Sequence, residues 1–204
     1  MLSALRLGPL VGLVAMLTLT GCDLYIPIFH EDPTTLSDDR TDEAKQLDDR
    51  IRGDILSAFV GQEVGTLKNV TVDVYEGNVL LTGTVTNPEA RNTAQTVAAE
   101  TDEIGNIFNE IQVVKDASLR DKTEDLSIET RLKTTLRKST KINSFNLRWR
   151  VVNRNVYIFG RAKTPEEREK ALEITRSIKG INEVVDHIEV RAPTGVQSWL
   201  DNLL

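Results

Sequence analysis

The sequence repeats itself with a period of 77 residues. When the chain is shifted by 77 positions, its two halves align without a gap, and the matches fall on apolar and turn positions. The identical pairs include Ile51 and Ile128, Gly83 and Gly160, and Pro88 and Pro165. A shared fold constrains the residue type most strongly at such positions. The repeat therefore predicts two copies of one small domain, over residues 44–116 and 120–191.

Each copy has the pattern of two helices and three strands. In the second copy, Ile128, Leu132 and Leu136 recur at i, i+4 and i+8, which predicts one buried helical stripe. A hairpin, a second helix and a closing strand follow, with the closing strands at residues 107–114 and 184–190. We therefore predict an α+β protein of two tandem αββαβ domains, each a three-stranded mixed sheet with two helices on one face. The opposite face of each sheet is polar and is expected to meet water or a neighbour.

Two glycines occupy the same place in a predicted strand of each copy. Gly83 and Gly160 lie where glycine normally weakens a strand. Because the feature is repeated, it predicts a structural role, either at a bulge or where a helix approaches the strand closely.

The first 22 residues have the character of an export signal. Residues 7–19 are mostly apolar and too short for a membrane-spanning helix, which needs about 20 apolar residues, and they lead into Leu19-Thr20-Gly21-Cys22. This segment resembles the lipobox of bacterial lipoproteins. The resemblance implies that residues 1–21 are a cleaved signal peptide. It also implies that Cys22, the only cysteine, carries a diacylglyceryl group and an acyl chain such as palmitate, which anchor the protein to a membrane.

Residues 22–43 are predicted to be an acidic, flexible tether, since they hold seven acidic side chains against one basic one and little apolar surface. Asp23, directly after the predicted lipidation site, resembles a signal for retention in the inner membrane of enteric bacteria. That rule does not hold in all bacteria, so both membranes stay open as locations, and we favour the outer membrane. Residues 192–204 form a predicted C-terminal tail.

The two copies carry opposite net charges. Residues 44–116 hold six basic and twelve acidic side chains, a net charge of −6, whereas residues 120–191 hold seventeen and eleven, a net charge of +6. Similar cores with opposite surfaces predict different partners. The basic side chains of the second copy concentrate around its first helix. The candidate binding residues there are Arg131, Lys133, Arg137, Lys138 and Lys141.

This basic helix is predicted to contact anionic phospholipid headgroups, at about 1 kcal/mol per basic residue. The helix face carries no large apolar side chain to insert, so the contact is predicted to be peripheral and weakened by salt. Two other interpretations stay open. The helix is simply solvated, or the acidic first copy docks on the basic second copy across the short polar join at residues 115–123. Nucleic acid is not expected as a partner, because the chain is exported, net negative and poor in aromatic residues.

Nothing in the sequence points to catalysis or to a metal site. The two histidines, His30 and His187, belong to different segments, and His187 is expected on an exposed strand face. The sequence shows no nucleophile elbow, phosphate loop or paired carboxylates. We therefore expect neither enzymatic activity nor a cofactor.

Three segments of the repeat carry a family signature. They are Val79-Leu80-Leu81-Thr82-Gly83-Thr84-Val85 with Pro88, Val156-Tyr157-Ile158-Phe159-Gly160-Arg161-Ala162 with Pro165, and Gly180-Ile181-Asn182-Glu183-Val184-Val185-Asp186-His187-Ile188. In these residues the sequence resembles the BON-domain family, and with the lipobox it is similar to the periplasmic lipoproteins that contain two BON domains. The first copy departs at Glu103, which stands where the second copy has Gly180.

The resemblance covers residues 44–191 and implies an αββαβ fold without enzymatic activity. It also implies a role in outer-membrane integrity or envelope stress, and binding of anionic phospholipid by the first helix of the second domain. The alternative is a protein-interaction module that docks an envelope assembly protein or a peptidoglycan-associated partner.

Overall fold

The computed structural model describes residues 36–62, 67–115 and 119–191, with the backbone alone for residues 119–121. All elements described below belong to one compact unit. The predicted signal peptide, the predicted lipidation site Cys22 and the predicted tail lie outside the described residues. Within the described ranges, no helix combines the length and the apolar character that crossing a membrane requires.

The first domain has the predicted αββαβ order. Its hairpin is antiparallel, and both pieces of its closing strand pair with the second hairpin strand in parallel. This arrangement confirms the predicted mixed sheet. The elements are α1 (Asp42–Val60), β1 (Val70–Tyr75), β2 (Asn78–Val85), α2 (Pro88–Ala99), β3 (Ile107–Asn109) and β4 (Gln112–Val113).

The second domain repeats this order, and its sheet runs β5-β6-β7 with an antiparallel and then a parallel pairing. The two-domain α+β fold is thereby confirmed. The elements are α3 (Leu119–Lys138), a 3-10 turn (Ser144–Asn146), β5 (Leu147–Val152), β6 (Asn155–Ala162), α4 (Pro165–Arg176) and β7 (Glu183–Val190).

The closing strand of the first domain differs from the prediction, which made it continuous over residues 107–114. The structure breaks it between β3 and β4. At the break, the Asn109 side-chain amide donates to the Arg91 carbonyl, at 3.1 Å, and to the Gln95 side chain, at 3.1 Å. These bonds hold the chain towards α2 at the break.

The predicted helical stripes are buried. Ile128, Leu132 and Leu136 expose 1%, 0% and 0% of their surface, and Ile51 and Ile55 are buried at the equivalent places in α1. Each domain has its own aliphatic core on the helix-covered face of its sheet. The burial of these stripes confirms the helical periodicity read from the sequence.

Gly83 and Gly160 are both required by backbone geometry. Their φ angles are +110° and +123°, which L-residues with side chains rarely adopt. A Cβ atom on Gly83 would lie 2.0 Å from the Asn69 carbonyl oxygen, and one on Gly160 would lie 2.2 Å from the Asn146 carbonyl oxygen. The close neighbour is therefore the backbone that enters the adjacent strand, and not a helix as the sequence analysis allowed.

An aspartate on the first helix of each domain, buried at Asp48 and half-buried at Asp125, holds the hairpin turn. Asp125 accepts the backbone N–H groups of Asn153, at 2.8 Å, and Arg154, at 2.6 Å. Asp48 does the same for Glu76 and Gly77, both at 2.8 Å. The turn residues have positive φ angles, so their N–H groups point together at one carboxylate. Each aspartate thus joins its helix to its sheet.

Replacing Asp125 with alanine is expected to lower the free energy of unfolding by about 2 kcal/mol, because two N–H groups lose their acceptor. Asp125→Asn is expected to lose about half as much, since its amide oxygen still accepts one bond. Urea unfolding followed by circular dichroism measures both. The matched control is Asp54→Ala on the exposed face of α1. An equal, small loss in Asp125→Ala and the control would contradict the role of this carboxylate.

The two domains pack together through the open faces of their sheets. Tyr75 and Leu80 from the first domain form one buried cluster with Tyr157 and Phe159 from the second. The Gln112 side chain donates to the Val152 carbonyl at 3.1 Å and to the Tyr157 hydroxyl at 2.9 Å. The neighbour that covers the open face of each sheet is therefore the other domain of the same chain. This face is not wholly polar as predicted, because the buried cluster lies on it.

Equivalent positions of the repeat meet each other in this interface. Arg150 donates two hydrogen bonds of 2.6 Å to Asp73, which lies 77 residues earlier. His187 Nε2 lies 2.9 Å from the carboxylate of Glu110, again 77 residues earlier. A contact between a position and its own equivalent is what a two-fold axis produces. The two domains are thus related by an approximate two-fold axis that passes through the sheet interface.

This interface corrects two expectations from the sequence. His187 was expected on an exposed face, but it is half-buried and stacks on Phe108, with 4.1 Å between the ring centroids. The opposite charges of the two domains were expected to serve different partners. At Asp73 and Arg150 the opposite charges pair with each other instead, because the approximate two-fold axis brings these positions together.

The described end of the predicted tether packs on the second domain. Residues 37–40, here called the strap, lie directly before α1. Asp39 accepts hydrogen bonds from the side chains of Asn143 and Asn146, and its carboxylate lies 3.1 Å from the Lys163 ammonium. The structure therefore differs from the predicted flexible tether over residues 36–43, because paired carboxylates hold this part and α1 has already begun at Asp42.

Candidate functional site

The five basic residues selected from the sequence are all exposed. α3 turns its apolar stripe into the core of the second domain, so the side chains on its other faces meet solvent. Four of the five lie on α3, and Lys141 follows the end of the helix. The exposed residues are Arg131, Lys133, Arg137, Lys138 and Lys141.

These residues do not form one continuous patch. Lys133 and Arg137 line a groove between α3 and β5, together with Arg148. Arg131 lines a different depression, with Lys179 from the loop after α4. The structure thus brings Lys133 and Arg137 together, and it separates Arg131 from them because the two sides of α3 face different neighbours.

Two exposed apolar side chains accompany Lys133 and Arg137. Leu126 is 65% exposed, and its spacing of seven residues from Lys133 puts both on the same face of α3. Phe145, from the 3-10 turn, is 39% exposed. The expectation that this face holds no large apolar side chain is therefore wrong. One apolar residue lies on the helix itself, and the other is supplied by a neighbouring turn.

The repeat itself contains a signal that points to these residues. The positions equivalent to Leu126 and Phe145, 77 residues earlier, are Asp49 and Lys68. A charged side chain in the first copy is thus replaced by an exposed apolar one in the second. Comparing the copies at their non-matching positions would have found both.

Arg137 is held over the ring of Phe145. Its guanidinium carbon lies 3.8 Å from the ring centroid, within the range of a cation–π interaction. Partial burial lowers the pKa of Arg137, and the positive charge of Arg148 lowers it further. Arg137 and Arg148 both line this end of the groove.

The strap supplies a negative charge to the same groove. The Asp38 carboxylate lines the groove and lies 3.1 Å from an Arg148 nitrogen and 2.7 Å from an Arg40 nitrogen. Burial opposes its charged form, but hydrogen bonds from Arg40 and Arg148 outweigh burial and hold the pKa of Asp38 at about 2. Asp38 is therefore an anion held beside two arginines.

Docking of the first domain on the second occupies part of the basic surface. Arg150 is paired with Asp73 of the first domain, and Arg148 with Asp38 of the strap. Hydrogen bonding to Asp73 raises the pKa of Arg150. The interpretation in which the acidic copy covers the basic one thus holds for Arg150, the strap covers Arg148, and the α3 residues keep their exposure. In the part of the chain that the structure describes, no group of three or more His, Cys, Asp or Glu side chains is arranged to hold a metal ion.

Comparisons with known proteins agree with the repeat. The family model of the BON domain matches residues 47–115 and again residues 124–192. The chain is 33% identical over 128 residues to a protein of Anaplasma centrale named "Uncharacterized protein in gshII 5'region", covering 62% of this chain and 85% of that protein. It is 24% identical over 158 residues to a "21 kDa hemolysin" of Actinobacillus pleuropneumoniae, covering 76% of this chain and 80% of that protein.

Among solved structures, the chain is similar to two of CdsD, a structural protein of the type III secretion system of Chlamydia trachomatis. One similarity covers 72% of this chain and 67% of the solved chain, a C-terminal domain of CdsD, with 13% identity and a TM-score of 0.27. The other covers 77% and 68%, with 11% identity and a TM-score of 0.28. These scores are too low to support an argument about the present chain.

Proposed function

The chain belongs to the BON domain family, and from this premise we propose that it is a non-catalytic lipoprotein of the cell envelope that binds anionic phospholipid through its second domain and supports outer-membrane integrity. BON domains bind phospholipid or take part in protein interactions in the envelope, and they are generally non-catalytic. The finer parts of the proposal, which are lipid binding by α3 and a lipid anchor on Cys22, rest on the residues of this chain.

The observation that carries the proposal is the composition of the exposed α3 face. Lys133 and Arg137 line a groove together with the exposed ring of Phe145, and the exposed side chain of Leu126 lies two turns earlier on the same face of α3. Basic side chains attract the negative surface of an anionic bilayer, and neighbouring apolar side chains enter the boundary between headgroups and acyl chains. The anchor on Cys22 supports the same surface, because it would keep the domain close to the bilayer and raise its effective concentration there.

Reversing the charge of two α3 residues tests the proposal. In flotation with vesicles that contain phosphatidylglycerol, residues 23–204 without the lipid are expected to bind. Arg137→Glu combined with Lys138→Glu is expected to weaken this binding about 30-fold or more, since each lost basic residue removes about 1 kcal/mol. Raising the salt concentration is expected to weaken the wild-type binding as well.

The matched control reverses two exposed basic residues of the first domain, Arg52→Glu with Lys68→Glu. This variant has the same net charge as the α3 variant and is expected to keep most of the binding. Equal binding to vesicles of neutral lipid, or equal losses in both variants, would refute recognition of anionic lipid by α3.

A protein-interaction role is the second candidate function. It is favoured by the exposed acidic side chains of α1, among them Asp42, Glu43, Asp49 and Asp54, which suit a basic protein partner such as an envelope assembly protein. Crosslinking in membranes with wild-type protein and with the α3 variant separates the two functions. A partner that is retained by the α3 variant would favour the protein-interaction role.

A further inference from the structure

The strap is attached to both domains by contacts that do not involve Asp38. The guanidinium of Arg40 lies 2.5 Å from Asp48 and 4.5 Å from the ring centroid of Tyr75, both in the first domain. Asp39 is held by Lys163 and Asn146 of the second domain. Asp38 directly precedes these two anchored residues and is the strap carboxylate that lines the groove. Its carboxylate can therefore leave Arg148 while the rest of the strap stays in place.

Arg148 and Arg137 together have the properties of a phosphate site. A guanidinium presents a planar fork of N–H donors that matches the oxygens of phosphate as well as those of carboxylate. Arg137 is fixed over the Phe145 ring, and Arg148 is fixed by donating to the Phe145 carbonyl at 2.9 Å. Both guanidinium groups are thus positioned before any ligand arrives, which lowers the ordering cost of binding.

We propose that Arg137 and Arg148 form a binding site for a phosphate group, and that the Asp38 carboxylate occupies this site until a phosphate replaces it. The ligand class is a phosphate monoester or diester, either in a lipid headgroup or free in solution. The inference rests on the proposed function in one respect, which is that the lipid headgroup is the physiological source. Asp38 then acts as an internal competitor that keeps Arg148 paired away from an anionic surface.

The test removes the competing charge. Asp38→Asn is expected to bind phosphatidylglycerol vesicles about fivefold more tightly than wild type, the factor for one additional free basic residue at an anionic surface. The matched control is Asp42→Asn, which removes an exposed carboxylate of the first turn of α1 and changes the net charge equally. Adding Arg148→Gln to Asp38→Asn is expected to abolish the gain. Circular dichroism verifies that each variant is folded.

A second measurement uses inorganic phosphate alone, at constant ionic strength. In nitrogen-15 NMR, the side-chain Nε–H signals of Arg137 and Arg148 in Asp38→Asn are expected to shift as phosphate is added. In wild type and Asp42→Asn the shifts are expected to be smaller, since Asp38 still competes.

The two measurements separate the failure of this inference from the failure of the proposed function. Vesicle binding that is equal in Asp38→Asn and Asp42→Asn, with no phosphate-dependent shift, would overturn the phosphate site and leave lipid binding by α3 intact. Phosphate-dependent shifts without vesicle binding would support the site and reject the lipid headgroup as its ligand.

Discussion

Gly160→Ala is expected to lower the free energy of unfolding of the second domain by at least about 4 kcal/mol, because two costs add at this position. The φ angle of +123° is strained for a residue with a side chain. The added Cβ would also lie 2.2 Å from the Asn146 carbonyl oxygen. The clash is with backbone of the 3-10 turn directly before β5, so no side chain can rotate away to relieve it. A loss of this size is a large fraction of the stability of a small domain.

Urea unfolding followed by circular dichroism measures this effect. The matched control is Gly53→Ala in α1, where an added Cβ has no neighbour within 4 Å. That variant is expected to gain about 1 kcal/mol from the higher helix propensity of alanine. A Gly160→Ala protein as stable as wild type would show that β5 and β6 do not approach each other as closely as described.

Glu76→Gln is expected to lower the free energy of unfolding by about 3 kcal/mol, at the lower end of the cost of breaking a buried ion pair. Arg161 is 2% exposed, and its guanidinium lies 2.9 Å from Glu76 and 3.7 Å from Asp39. Removing the closer carboxylate leaves a buried positive charge with only a more distant partner. Because Glu76 belongs to the first domain and Arg161 to the second, the loss falls on their docking.

The rescue variant tests whether the buried charge is the cause. Adding Arg161→Met to Glu76→Gln removes that charge while it keeps an apolar side chain in place, so much of the lost stability is expected to return. The matched control is Glu103→Gln. Glu103 also has a positive φ angle, but it pairs with Arg50 at the surface, where both side chains are more than half exposed, and little change is expected. A loss in Glu76→Gln no larger than in this control would refute the role of Arg161.

Duplication explains why charges diverged at the centre of the interface. In a symmetric pair of identical domains, a residue on the two-fold axis faces its own copy. Position 73 would then bring two aspartates together, which is unfavourable. Once both copies belong to one chain, they can differ, and Asp73 faces Arg150 while Glu110 faces His187. Part of the charge difference between the domains therefore serves their own association.

The fold was predictable from the sequence at the level of single elements. The stripe of Ile128, Leu132 and Leu136 indicated a buried helix face, and the structure buries all three residues. The repeated Gly83 and Gly160 indicated a special backbone position, and both have positive φ angles. These predictions succeeded because helical and strand periodicities are local, so the pattern along the chain already contains them.

The candidate site was predictable only in part. Exposure of Arg137 and Lys138 followed from the helical periodicity, since they lie opposite the apolar stripe. The contribution of Phe145 did not follow, because it comes from a turn that the fold places beside α3. Asp38 was assigned to a flexible tether, since its partner Arg148 lies 110 residues away and no local pattern reports such a contact.

The sequence by itself determines the order of the helices and strands, the residues that each domain buries, and the need for glycine inside two strands. Each of these features depends on a few neighbouring residues. How the two sheets close on each other, which charges become partners and where the strap lies depend on contacts between residues far apart along the chain. Their free energies depend on complementary shape and charge across surfaces that exist only after both domains have folded. For that reason the sequence pattern could not predict that His187 contacts Glu110 or that Asp38 contacts Arg148.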